Sequence, residues 1–283
     1  MKKVIFVVFL SILSNYVCLA TNRALVIGIG DYPIENGWDV INGDKDIPIV
    51  REMLSKNGFQ EQNIVELKNE QATAAGIRSA FATLIASAKA GDVVYIHFSG
   101  HGQRVTDLQG EEQDHFDEAW IPYDAQLVYK KGIYEGKNHI IDDELNIWLT
   151  QLRAKVGAKG KITVVADACH SGGGSRAAEE ESTCVIRGTS DDFIIPIQPK
   201  VYTGEMGIVD WIFISACKSN QCNYEYNGMG SLTYALSIKG SDLSRISYSE
   251  VHRSIRSTIR EVVLMTQTPV IETPTVSTQT SLF

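Results

Sequence analysis

Two short stretches of this 283-residue sequence carry side chains that can do covalent chemistry. Cys169 closes the run KITVVADACHSGGG, residues 161 to 174, and His101 closes DVVYIHFSGHG, residues 92 to 102. A cysteine thiolate is a strong nucleophile. A neighbouring imidazole lowers its pKa, takes its proton and later returns that proton to a leaving amine. Most cysteines do none of this and serve as small buried hydrophobes, so what matters is how the chain positions the two residues.

Ile162 to Ala166 form a β-branched, apolar run of the kind found in a central parallel strand, and three glycines stop it. Asp167 and Cys169 then lie at the carboxyl end of a strand, where open α/β sheets bind ligands. A thiol there is badly placed for packing and well placed for attack. The stretch ending in His101 has the same form, so thiol and imidazole can meet at one sheet edge. His97, earlier in that strand, is read as a packed core histidine and not as a metal ligand.

The remaining pattern supplies such a sheet. Arg23 to Ile29, Asn63 to Leu67, Trp211 to Ala216 and Gln267 to Ile271 read as strands, the last at a sheet edge because Pro269 stands near its start. Ile47, Val50, Met53 and Leu54 have helical spacing, with Asp44 and Asp46 at the favoured N-terminal end of that helix. Thr73 to Lys89 is amphipathic, Gly230 to Ala235 opens a short helix, and Ser247-Tyr248-Ser249-Glu250 has capping-box form. Asp142 reads as the N-cap of a helix through Trp148 and Leu149. The alternation predicts an α/β fold, a largely parallel sheet of about six strands with helices on both faces. The Gly28-Ile29-Gly30 turn lacks the third glycine of a dinucleotide fingerprint.

Composition is ordinary for one globular domain, with 44% hydrophobic and 21% charged residues. Residues 1 to 20 read as a signal peptide: Lys2 and Lys3, the apolar run Val4 to Leu13, then Cys18-Leu19-Ala20 before Thr21. A membrane anchor is the alternative, but the apolar core is short for a span. The expected product is an exported domain over residues 21 to 283. Without Lys2 and Lys3 it carries 24 basic and 34 acidic residues, a net charge of −10 that argues against a nucleic-acid partner. Cys169, Cys184, Cys217 and Cys222 do not form the paired clusters of a zinc site. Cys217 and Cys222 are close enough in sequence for a local bridge, and burial as thiols is the simpler reading.

The Ser-Gly-His-Gly of residues 99 to 102, with Asp-Ala-Cys-His-Ser-Gly of residues 167 to 172, resembles the metacaspases among the caspase-like cysteine peptidases. Ile214-Ser215-Ala216-Cys217, Gly230 to Ala235 and Gln267-Thr268-Pro269 are similar to further signatures of that family, so the resemblance runs over residues 22 to 272. It implies a caspase-like three-layer sandwich. The implied activity is cysteine endopeptidase, with His101 and Cys169 as a dyad and the backbone amides of Gly102 and Cys169 holding the oxyanion.

The resemblance also implies a pocket in which Asp46, Ser99 and Asp167 receive an Arg or Lys side chain before the cut. It implies that no cofactor is required, and a calcium site at Asp117, Asp142 and Asp143. The family's further Asp, seven residues after the cysteine, is replaced here by Arg176. The expected partners are protein or peptide substrates with basic residues, met by a monomer. From Gly172 to Gly207 the chain turns polar and irregular, an exposed processing segment spanning about 173 to 207. Self-cleavage is expected there after Arg187, ahead of Arg176 or Lys200. Two alternatives stay open: a caspase-fold peptidase of other specificity, and a catalytically silent binding module.

Overall fold

The computed structural model describes residues 20–110, 112–169, 185–196, 210–273 and 280–283. Residues 1–19 of the signal peptide expected over residues 1–20, and Arg176, Cys184 and Lys200, lie outside these residues. In chain order the elements are β1 (Asn22–Gly28), α1 (Gly43–Lys56), β2 (Ile64–Lys68), α2 (Ala74–Ser87), β3 (Val93–Ser99), β4 (Gly102–Thr106), β5 (Phe116–Trp120) and β6 (Ile140–Ile141). Then come α3 (Asp142–Val156), β7 (Lys161–Asp167), β8 (Ile212–Ser215), β9 (Glu225–Tyr226), β10 (Met229–Gly230), α4 (Ser231–Ile238), α5 (Tyr248–Val262) and β11 (Val270–Glu272).

Six strands form the main sheet in the order β11-β8-β7-β3-β1-β2. All neighbours run parallel except β11, which pairs antiparallel with β8 at the edge that Pro269 foreshadows. Side chains alternate between faces along each strand. Leu25 and Ile27 of β1, Ile96 and Phe98 of β3, and Ile162 and Val164 of β7 join one apolar cluster with Ile77 and Phe81 of α2 and Leu149 and Leu152 of α3. The intervening Ala24, Val26, Tyr95 and Val165 join a second cluster with Val50 and Leu54 of α1, Leu232 of α4, and Val251 and Ile255 of α5. Each helix has one apolar stripe to bury, and the two-faced sheet accepts stripes from both sides, which gives three layers.

Local signals act as expected at two helix starts. Thr73 caps α2 through its side chain, and Ser247 with Glu250 forms a capping box on α5. The reading of Asp142 as an N-cap needs correction. The cap position is Ile141, without a side-chain bond, because Ile141 still belongs to β6 and the chain turns directly from strand to helix. The sequence also gave no sign of the small β4-β5-β6 sheet, whose strands are interleaved with acidic residues.

Candidate active site

The parallel pairing of β3 with β7 sets Ser99 opposite Asp167 at the carboxyl ends of both strands. His101 and Cys169 each follow two residues later, so they leave adjacent strands at one level. His101 is buried between two aromatic rings, with Tyr32 and Trp38 each 5.0 Å away by ring centroids and Trp38 stacked on it. The Tyr32 hydroxyl accepts from the His101 backbone amide at 3.0 Å and donates to the Ile121 carbonyl, fixing the turn.

His101 Nε2 lies 2.9 Å from the carbonyl oxygen of Asp39. A carbonyl can only accept, so the bond holds the proton on Nε2 and leaves Nδ1 with its lone pair. Nδ1 is buried and makes no hydrogen bond. Burial pushes the imidazole pKa down to about 4, against the opposing pull of the Asp39 carbonyl. The ring is thus a neutral proton acceptor at ordinary pH.

Cys169 is also buried, contrary to the expectation of a thiol poorly placed for packing. The cover is the chain's own segment 185–188. Ile186 forms an antiparallel bridge to Tyr224, Arg187 N donates to Asn223 O at 3.0 Å, and Glu225 N donates to Val185 O at 2.9 Å. Gly188 lies so close over Cys169 that a β-carbon there would meet the cysteine's carbonyl oxygen and its Cβ. The backbone amide of Cys169 donates to the Arg187 carbonyl oxygen at 2.7 Å. Gly102, the other expected amide, begins β4 opposite Trp120 and makes no hydrogen bond to that oxygen.

The Arg187 side chain is fully buried, which corrects the expectation of an exposed segment at this residue. Its Nη1 donates to Asp46 Oδ2 at 2.7 Å and lies 3.7 Å from Asp167 Oδ1, while Nε donates to Glu225 Oε1 at 3.0 Å. Burial works against the guanidinium charge, but Asp46, Asp167 and Glu225 together outweigh it and hold it protonated above its ordinary value. A polar segment can be buried when each charge it brings is met by opposite charge and hydrogen bonds.

The acids are themselves held in place. Asp46 accepts from Ser99 Oγ at 2.7 Å and from Gly230 N at 3.1 Å; burial raises its pKa to about 6, with Arg187 pulling down and Asp167 pushing up. Asp167 accepts from Asn223 Nδ2 at 2.8 Å and from the Thr233 amide and hydroxyl at 2.7 and 2.6 Å. Thr233 and Ser99 in turn lie 3.1 and 3.2 Å from His97 Nε2, so His97 packs beneath the pocket, kept neutral by burial. Only glycine fits at 230, since a β-carbon would collide with the Asp167 carboxylate.

The structure therefore joins Asp46, Ser99, Asp167, Cys169 and Arg187 by direct contacts, and sets His101 at the end of the strand next to that of Cys169. Sequence reasoning gave no site role to Asn223, Glu225, Thr233, Tyr32 and Trp38; of these, Thr233 alone lies in a stretch that resembled a family signature, Gly230 to Ala235. The Cys169 and Cys217 thiols both donate to the Gln221 carbonyl, at 2.8 and 3.2 Å, and no disulfide joins Cys217 to Cys222.

The acids expected to bind calcium sit apart from this site, on β5 and at the start of α3. Burial, with Glu118, Asp143 and Glu112 nearby, pushes the Asp142 pKa up to about 8. These carboxylates offer the right donor chemistry for a hard cation. Among the described residues, however, no three His, Cys, Asp or Glu side chains converge as a ligand set.

Comparison with known proteins follows the same lines. The family described as "Metacaspase, peptidase C14 domain" matches residues 22–175. Metacaspase-7 of Arabidopsis thaliana is 37% identical over 168 residues, covering 56% of this chain and 37% of the plant protein. Metacaspase-1 of Eremothecium gossypii is 32% identical over 163 residues, covering 55% of this chain and 33% of the fungal protein. The chain thus spans about a third of the length of these curated relatives. A crystal structure of a Geobacter sulfurreducens protein superposes with a TM-score of 0.65 at 22% identity, over 92% of this chain and 97% of that one, and shares its fold.

Proposed function

Because the chain belongs to the metacaspase family, we propose that it is a cysteine endopeptidase that cuts after basic residues, beginning with its own Arg187–Gly188 bond. One observation carries this reading: the Arg187 carbonyl accepts from the Cys169 amide while the Arg187 side chain fills a pocket of carboxylates. A substrate whose basic side chain occupied that pocket would present its next peptide bond to the thiol.

In the proposed sequence, Nδ1 of His101 takes the thiol proton and the Cys169 sulfur attacks the carbonyl carbon. The Cys169 amide stabilises the oxyanion, with the Gly102 amide as a second donor once the chain shifts. The C–N bond breaks as His101 protonates the departing amine, and water then hydrolyses the thioester. Asp46 and Asp167, with Ser99, favour Arg or Lys and repel acidic side chains.

A second reading draws on the same contact: a silent caspase-like module whose pocket is permanently filled by Arg187. Incubation of the purified chain, with Cys169→Ala in parallel, separates the two. Fragments with an amino terminus at Gly188 in the wild type alone support the peptidase, and an intact chain that also ignores basic peptides supports the module.

The chemistry needs no cofactor. Calcium enters the proposal only as a ligand of Asp117, Asp142 and Asp143, and a melting temperature indifferent to calcium and chelator would remove it. Export after loss of residues 1–20, and action as a monomer on protein or peptide substrates and not on nucleic acid, belong to the same reading. An amino terminus at Thr21 and a single-chain mass in solution are the measurements that bear on them.

A further inference from the structure

The pocket contains a third acid, Glu225, outside every motif that the sequence singled out. We propose that Glu225 makes this an arginine pocket that discriminates against lysine, an inference that rests on the peptidase reading above. The two edges of the Arg187 guanidinium are read by different carboxylates. Nη1 bonds to Asp46 on one side, while on the other Nε donates to Glu225 Oε1 at 3.0 Å and Nη2 lies 3.0 Å from the same oxygen.

Lysine cannot reproduce the second edge. Where arginine carries Nε, lysine carries a methylene, which donates nothing. Its single ammonium can answer Asp46 and Asp167, but Glu225 Oε1 would then face carbon in a place where its side chain is only 3% exposed. The buried oxygen would keep the Asn42 amide and lose its charged donor, so the carboxylate would forfeit a charge-assisted bond that lysine cannot replace.

Nor can Glu225 readily turn to meet a lysine. The Asn42 backbone amide donates to Oε1 at 2.7 Å, and the Asn42 side-chain amide donates to Oε2. The Glu225 backbone is tied to Val185 in the docked segment. A site built to bond a particular N–H rejects an analogue lacking it far more strongly than an apolar pocket rejects a lost methylene.

The test uses two peptides that differ only in Arg or Lys before the cut, with the full-length chain and its Glu225→Gln and Glu225→Ala variants. The wild type should favour Arg by about ten-fold or more in kcat/KM. The ratio should fall toward parity in Glu225→Ala, through loss on the Arg peptide with the Lys peptide little changed, and be intermediate in Glu225→Gln. Within the chain, Arg187→Lys should slow fragmentation by a similar factor. Equal cleavage of the two peptides by the wild type, or an unchanged ratio in either variant, overturns the role of Glu225 alone. Cleavage of neither peptide by the wild type overturns the peptidase reading and this inference with it.

Discussion

Ser99 and Asp167 are paired across two parallel strands, and each stands two residues before a reactive side chain, His101 in one case and Cys169 in the other. The sheet register therefore brings His101 and Cys169 out of adjacent strands at one level. It also aims Ser99 and Asp167 into the pocket where Arg187 lies, so one pairing serves both the proposed dyad and part of the proposed specificity.

Removing either dyad member should abolish peptide cleavage. Cys169→Ala and His101→Ala are each expected to lower kcat/KM by at least about a thousand-fold, since losing a nucleophile or its base costs several orders of magnitude. His101→Ala also removes a ring stacked on Trp38, so its fold is to be checked by circular dichroism. Turnover within a few fold of wild type in a folded variant refutes the assignment.

Self-cleavage should leave a new amino terminus at Gly188. Cys169→Ala should stay whole, and so should Arg187→Ala. The latter also abandons Asp46, Asp167 and Glu225 as buried acids without their cation, which should cost about 3–5 kcal/mol in chemical denaturation. An Arg187→Ala chain as stable as wild type would show that the three carboxylates do not depend on this partner.

For specificity, Asp46 is the more direct partner, because it bonds Nη1 at 2.7 Å where Asp167 stands off at 3.7 Å. Asp46→Asn should cost about 1.5–3 kcal/mol of transition-state binding on basic substrates. Asp167→Asn should act through the loosened bonds to Thr233 and Asn223 as well as through charge. Equal cutting after Asp and Arg by the wild type would refute an acidic pocket.

The pH dependence should carry the mark of a depressed histidine. His101 is a base only when neutral, and burial lowers its pKa to about 4. The acid limb of single-turnover self-cleavage should then fall near pH 4 and not near 6.5. The linked effect on stability has a definite sign. The unfolded chain binds the proton more readily between those values, so the His101 contribution is present above pH 6.5 and is lost as pH falls toward 4. An acid limb near 6.5 would mean that the ring is hydrated during the reaction.

The strands, the two-faced sheet and the candidate dyad were legible in the sequence because they depend on local periodicity. Alternate residues of β1, β3 and β7 face opposite apolar clusters, and a strand that ends in glycine puts the next polar residue at the sheet edge. The sequence also singled out Arg187, from its apolar approach and following glycine, but read its surroundings as exposed from their polarity. Only the tertiary structure decided that Arg187 is buried and that Glu225 and Asn42 surround it. Arg187 meets Asp46 across 141 positions and Asn42 meets Glu225 across 183. Such pairings leave no periodic trace along the chain. Their physical basis is charge neutralisation in a low-dielectric pocket, which exists only after the sheet has brought its strand ends together.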